Sequence, residues 1–352
     1  AAGALAGLAA LAGSLFPARR AVGVALAAGT STLLWPYARV LFAEATLACA
    51  LTLATFAIWR AGHGGGRVWW IAAGVAFGAG IATRAALAIY ALPLAVLIIR
   101  LSCGEGRLVL GRRLAAVALG AAPGIALVLW HNALRFGDPL ASGYAGEGFT
   151  TAPWTGAASL LFSPGKSVFL YAPPLLASVL LWPRFRRAQP ALADFLALAW
   201  IVAPAFFGAW WAWHGGWSWG PRLLVPLVPL SCLPLGALPD RRRWRALVAA
   251  LAIAGIGVQL AGVLANTVPH YAALVGAGEG GYHAIHYTPG ESPLVAAVER
   301  LLDGDTEPLA LFHLAGTGLP RTWTVGAPLI LLIGLGWAAR AIWRSLSAGA
   351  AQ

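Results

Sequence analysis

An all-α, polytopic transmembrane helix bundle is the fold class this sequence predicts, and three observations predict it. Of 352 residues, 60% are hydrophobic and only 10% charged, where a soluble domain carries roughly 25% charged residues. Eleven apolar runs are long enough, or nearly so, to cross about 30 Å of hydrocarbon. The arginines between them alternate from one side to the other. A net charge of +12 on so apolar a chain does not describe a solvated basic face, so no nucleic-acid partner is expected and membrane lipids take its place.

The first run, residues 2–16, has no basic segment before it and leads into Pro17 and Arg19-Arg20. That is unlike a cleavable signal peptide and reads as a span. Arginine clusters and Gly/Pro breaks mark off the rest at 21–37, 41–59, 68–83, 85–101, 114–131, 167–182, 190–213, 222–238, 246–265 and 326–343. The short runs 68–83 and 85–101 read either as two spans or as one bent element. Residues 1–265 then form a transmembrane core, 266–325 an outer loop region, and 326–352 a final span with a cytoplasmic tail.

Orientation follows from the rule that Arg-rich loops stay on the cytoplasmic side. Arg19 and Arg20, Arg60 and Arg67, the group Arg100 to Arg113, Arg184 to Arg187, Arg241 to Arg245, and Arg340 with Arg344 all fall in alternate connections. Seventeen basic residues against three acids give that face +14. The other face has seven against nine, or −2. The multi-pass chain is therefore expected in the plasma (inner) membrane with its active face outside the cytoplasm. Ala1 falls outside and no methionine occurs, so at least one span and one outer loop are expected before residue 1. Cys49, Cys103 and Cys232 are too scattered for a disulfide framework or a CxxC pair.

The outer loops are where chemistry is expected. In Trp35-Pro-Tyr-Ala-Arg-Val-Leu-Phe-Ala-Glu44, an ionisable pair sits at the rim of a span, where it is costly and tends to face a cavity or a partner. Glu44 either neutralises Arg39 or is a functional carboxylate. The second loop, His131 to Lys166, carries Asp138, Tyr144 and Glu147. It ends in Phe162-Ser-Pro-Gly-Lys166, with the only lysine of the chain. Lys166 is either a snorkelling anchor or a cation for an anionic headgroup, delivered by a tight turn. The third loop, Trp210-Trp-Ala-Trp-His214-Gly-Gly-Trp217-Ser-Trp219-Gly-Pro-Arg222, fits an interfacial aromatic belt. Its glycines also suit a shaped loop that delivers Arg222, a planar bidentate donor for phosphate. The fourth outer segment runs from Asn266 to about Thr324. In it Ser292-Pro293 reads as an N-cap with proline at the first helical position, starting a short amphipathic helix through Leu302. Tyr282, His283, His286 and Tyr287 are candidate substrate contacts. His283 and His286 lack a third nearby ligand, so no metal or other cofactor is indicated, although a divalent cation is compatible with the chemistry. Gly62-His-Gly-Gly-Gly66 follows a span rather than a strand and reads as a flexible cytoplasmic turn. No P-loop, GxSxG elbow or HExxH occurs.

Taken in succession, Glu44, Gly80-Ile-Ala-Thr-Arg84, Leu161-Phe-Ser-Pro-Gly-Lys166-Ser-Val-Phe-Leu-Tyr171-Ala-Pro-Pro174 and Gly215-Gly-Trp-Ser-Trp-Gly-Pro-Arg222 resemble bacterial members of the GT-C superfamily of polytopic glycosyltransferases. That group includes the dolichyl-phosphate-mannose protein mannosyltransferases and the lipid A aminoarabinose transferase. The resemblance covers roughly residues 30–240. It implies transfer of a sugar, with inversion and base assistance, from a polyprenyl-phosphate carrier to an acceptor at the outer leaflet. In the family a carboxylate of the first outer loop is the general base; Glu44 would match the second acidic position, near the start of a later span, which supports the acceptor or that first carboxylate.

Physical chemistry gives the same roles. A departing phosphate develops negative charge that fixed cations stabilise, and Arg222, Lys166 and Arg84 are available. An acceptor hydroxyl needs a carboxylate, with Glu44 first and Asp138 and Glu147 behind it. Trp217, Trp219, Tyr171, His214, Tyr282 and His283 offer faces and polar tips for substrate. Rival readings are a flippase or transporter of lipid-linked sugar, which tends to carry ionisable groups near the midplane, a polysaccharide ligase or polymerase, and a non-catalytic scaffold.

Overall fold

The computed structural model of the chain describes residues 1–304, apart from 142 and 145, and six isolated positions from 330 to 340. The described residues are helical with no strand among them. In chain order the helices are α1 (Ala2–Leu15), α2 (Ala18–Thr30), α3 (Leu34–Arg39), α4 (Glu44–Arg60), α5 (Arg67–Thr83), α6 (Ala91–Leu101), α7 (Arg107–Phe136), α8 (Pro153–Phe162), α9 (Val168–Tyr171), α10 (Pro174–Ala188), α11 (Pro190–Ala209), α12 (Arg242–Leu264), α13 (Val268–Gly276), α14 (Glu279–Tyr287) and α15 (Pro293–Leu302). Ser292 caps α15 through the Val295 N–H, with Pro293 at its first turn, as the sequence led us to expect.

Among the described residues, four helical stretches are long and apolar enough to cross a membrane: Glu44–Gly65, Arg107–Phe136, Pro190–Ala209 and Arg242–Leu264. The count of eleven spans expected from the sequence is not reproduced among these residues. Ala2–Leu15, Arg67–Thr83 and Ala85–Leu101 are apolar but shorter; at 1.5 Å per residue the first is only about 20 Å long. The run 21–37 breaks at Ser31, and 167–182 splits into α9 and α10. The run 326–343 lies outside the described residues.

The sharpest departure is 222–238, which forms two 3-10 segments, Arg222–Leu227 and Leu230–Ala237, in place of an α-helix. Pro226, Pro229 and Pro234 remove amide donors and crowd the carbonyl four residues back. The observed turns therefore close over three residues, as from Val228 N–H to the Val225 carbonyl. Every side chain from Leu223 to Leu238 is buried. This run is apolar because protein surrounds it, and hydropathy alone does not separate that case from contact with lipid.

Glycines set the closest helix contacts. A Cβ on Gly74 would lie 2.0 Å from the Val117 carbonyl oxygen, and one on Gly124 2.1 Å from that of Gly78. Helices α5 and α7 thus run side by side in the same direction through paired small-residue patches. Gly156 and Gly208 bring α8 onto α11 in the same way.

Ion pairs sort by face. Arg20–Asp240, Arg100–Asp194, Arg186–Asp194 and Arg113–Glu105 join residues of the arginine-rich face. Arg84–Glu44 and Arg222–Glu44 join residues of the opposite one. Two chemically distinct ends of the bundle therefore exist, as the charge alternation implied.

Candidate functional site

Glu44 opens α4 at the acidic-face end of the bundle and is only 2% exposed. A lone buried carboxylate would be costly. Its Oε1 receives Arg84 Nη1 at 3.0 Å and lies 3.1 Å from Arg222 Nε. Oε2 is buried with no hydrogen-bond partner. Arg39, the expected neutralising partner, reaches the Val263 carbonyl.

Each arginine is placed by its local backbone. Arg84 ends α5 in extended conformation (φ −157°, ψ 116°), between that helix and the 3-10 turn Ala85–Tyr90. The break throws the side chain sideways toward α4 and makes two elements of the 67–101 region. Arg222 heads the first 3-10 segment, and its guanidinium lies 4.6 Å from the centroid of the Phe42 ring, a cation–π contact that fixes its plane. Gly215, at φ +72°, passes so close that a Cβ there would be 3.2 Å from Arg222 Cβ. Beside Glu44 and Arg84 a cavity of about 10 Å³, lined by Leu47, Tyr90 and Phe207 among others, is about the size of one water.

The Trp- and Gly-rich segment before Arg222 is a folded loop rather than a loose belt, and three side chains hold its backbone. Lys166 Nζ donates to the Ser218 carbonyl at 2.7 Å and to the Gly216 carbonyl at 3.2 Å, with Ser218 Oγ and Tyr271 Oη also in reach. Tyr271 Oη donates to the Ser218 carbonyl at 3.0 Å, and Tyr37 Oη to the Trp219 carbonyl at 2.9 Å. Lys166 is fully buried. It does not snorkel, because the Ser163-Pro-Gly turn directs it inward, where Gly165 packs on the Ile285 carbonyl. Burial, followed by the field of Arg222, lowers its pKa well below the usual lysine value.

His214 lies at the start of this loop. Gly216 N–H donates to its Nδ1 at 2.9 Å, which leaves the proton on Nε2, facing Tyr282 Oη. Its ring stacks on His286 at 5.1 Å. Burial, then Lys166 and Arg222, pushes the His214 pKa down to about 3, and burial first pushes His286 to about 2. Both are neutral imidazoles at neutral pH.

The other expected contacts divide. Trp217 is exposed and stacks nearly parallel on Tyr271, at 12° and 6.1 Å, so one face is open to a ligand. Trp219 and Tyr171 are buried against each other edge-to-face at 5.0 Å. Neither offers a free ring, because Gly262 lets Trp219 sink against α12. Asp138 is exposed and caps its own turn through Leu140 N–H. Glu147 accepts from Trp211 Nε1, and among the described residues no contact joins either acid to Glu44, Arg84 or Arg222. His283 is exposed and lies on Tyr287 at 4.5 Å.

Sequence reasoning missed Tyr37, Phe42, Ser218 and Tyr271. Their partners are 50 to more than 180 positions away in the chain, as with Tyr37 and Trp219, so no local spacing reports them. Comparison with family models, curated proteins and solved structures found no match for this chain.

Proposed function

We propose that the chain is a multi-pass membrane glycosyltransferase that moves a sugar from a polyprenyl-phosphate donor to an acceptor at the outer leaflet. The observation that carries this reading is the buried Glu44 held by Arg84 and Arg222 beside a tightly organised loop. Two guanidinium groups against one carboxylate leave positive charge in a poorly solvated place. The N–H groups they do not give to Glu44 suit a departing phosphate.

In this reading Arg222 and Arg84 bind the lipid phosphate. Glu44 Oε2, the oxygen without a partner, receives or steers the acceptor proton. Lys166, with its hydrogens committed to loop carbonyls, shapes the phosphate site rather than facing the ligand. Trp217 offers the sugar a ring face, and His214 with Tyr282 lines the loop as a neutral hydrogen-bonding pair. Inversion at the anomeric carbon follows from a single displacement by the acceptor on the side opposite the phosphate.

Transfer from a polyprenyl-phosphate sugar by the protein in liposomes tests this. Arg222→Ala and Glu44→Ala are each expected to abolish transfer while the protein remains folded. Wild-type turnover in both variants would sink the assignment.

A further inference from the structure

On the arginine-rich face, at the opposite end of the bundle from Glu44, a cleft of about 890 Å³ opens between the N-terminal halves of α5 and α7. The two helices are locked together at Gly74, Gly78, Gly120 and Gly124; nearer their starts the cleft lies between them. One wall is the stripe Val109, Arg112, Arg113, Ala116 and Leu119, at the i, i+3, i+4, i+7 spacing that shares a helix face. The other wall is Arg67, Trp70 and the Gly62–Gly66 turn.

That turn is shaped, unlike the flexible linker expected. It forms a π-type turn in which the His63 ring packs tilted against Trp59 at 4.0 Å, and Gly64 and Gly66 take positive φ. A Cβ at either glycine would meet nothing within 4 Å.

The charge in the cleft is unbalanced. Arg113 is fixed by Glu105, Ser102 Oγ and the Leu101 carbonyl, and packs 5.1 Å from the Trp70 ring centroid. Arg67 and Arg112 are exposed and have no partner among the described residues. Glu105 is the only acid in the lining and is already paired. Helices α5 and α7 both begin here with a glycine N-cap that provides no side-chain acceptor, so their dipoles add positive potential. Deeper along α7 the lining turns apolar at Ala115, Ala116 and Leu119. Only 17% of the apolar window of α7 is buried, against 44 to 61% in the other three long helices, so the cleft opens onto a helix flank that protein leaves bare.

We propose that this cleft binds an anionic membrane lipid, with its phosphate between Arg67 and Arg112 and an acyl chain along Val109, Ala116 and Leu119. The volume lies within the range of small-ligand sites. The polar-to-apolar gradient along one helix face matches the gradient from headgroup to chain, which a free phosphate does not require. This site is independent of the sugar-transfer reading, since it shares no residue with it.

The test is titration of phosphatidylglycerol into the protein in phosphatidylcholine nanodiscs, read by native mass spectrometry. Two arginines near a lipid surface, each contributing about fivefold, amount to an effect on the order of thirtyfold. Arg67→Gln/Arg112→Gln is therefore expected to weaken phosphatidylglycerol binding about thirtyfold, and Leu119→Gln to weaken it severalfold. Arg19→Gln/Arg187→Gln, two exposed arginines elsewhere on the same face, is expected to leave it unchanged. An equal loss in the Arg19/Arg187 variant would reduce the effect to general surface charge and overturn the proposal. So would inorganic phosphate binding as tightly as the lipid with no effect of Leu119→Gln, which would mark a site for the free ion. Arg67 and Arg112 have no partner to lose among the described residues, so an unchanged Tm in their variant separates lost binding from lost fold.

Discussion

Replacing Glu44 with Gln keeps its shape and removes its charge, and the structure sets how much that matters. The carboxylate lies 3.0 and 3.1 Å from Arg84 and Arg222 and is 2% exposed, while the arginine side chains are 26% and 20% exposed. At an effective dielectric of about 20, two unit charges 4 Å apart interact by about 4 kcal/mol. Partial exposure of the arginines screens each pair to roughly half of that. Glu44→Gln also leaves two like charges facing one another, so it is expected to destabilise the protein by about 3 to 4 kcal/mol, and Arg222→Gln by about 2 kcal/mol. The double variant loses the pair only once and is expected to cost about 3 kcal/mol, a coupling on the order of 2 kcal/mol. Unfolding of the four proteins in mixed detergent micelles, followed by tryptophan emission, measures the cycle. Additivity within about 0.5 kcal/mol would refute the ion pair, and with it the siting of charge on which the functional reading stands.

Other expectations concern the loop, the histidines and the helix contact. Lys166→Met takes one donor from each of the Gly216 and Ser218 carbonyls, which keep the Ser218 N–H and Tyr271 Oη respectively; it is expected to cost about 1 kcal/mol and to speed hydrogen exchange at residues 214–220, and unchanged exchange there would contradict its role as a loop anchor. His214 and His286 are held below their ordinary value of 6.5, to about 3 and about 2. The unfolded chain therefore takes up protons first, and stability is lost as pH falls below about 6.5. By pH 5 each contributes a loss on the order of 2 kcal/mol, visible as a falling Tm that flattens in the double Ala variant. Gly120→Leu forces side-chain atoms into the Ile71 carbonyl, already 2.2 Å from a Cβ, and is expected to cost 3 kcal/mol or more (about the upper end for overpacking), with Gly111→Leu as an unhindered control at the same helix.

The sequence was informative where one residue type has one physical use. Helical character, two faces of opposite charge and the Ser292-Pro293 helix start follow from apolar runs, arginine alternation and capping chemistry, and Glu44, Arg84 and Arg222 do converge. It was misleading where a residue has two. Leu223 to Leu238 are as apolar as a span yet lie inside the protein, and the prolines that make the run 3-10 leave its hydropathy untouched. Trp219 and Tyr171 have the composition of a sugar platform and pack as core, whereas Trp217, two residues away, is open. Lys166 is a rim cation by position and a buried donor by fold. Tyr37 and Tyr271 were invisible because their hydrogen bonds close only in three dimensions.

Binding of a polyprenyl phosphate to the purified protein in neutral-lipid nanodiscs tests the central claim most directly, since it asks for the phosphate site alone. Arg222→Ala is expected to weaken that binding at least tenfold, about 1.4 kcal/mol, with Arg67→Gln/Arg112→Gln leaving it unchanged. Equal affinity in wild type and Arg222→Ala would contradict a phosphate site at Arg222.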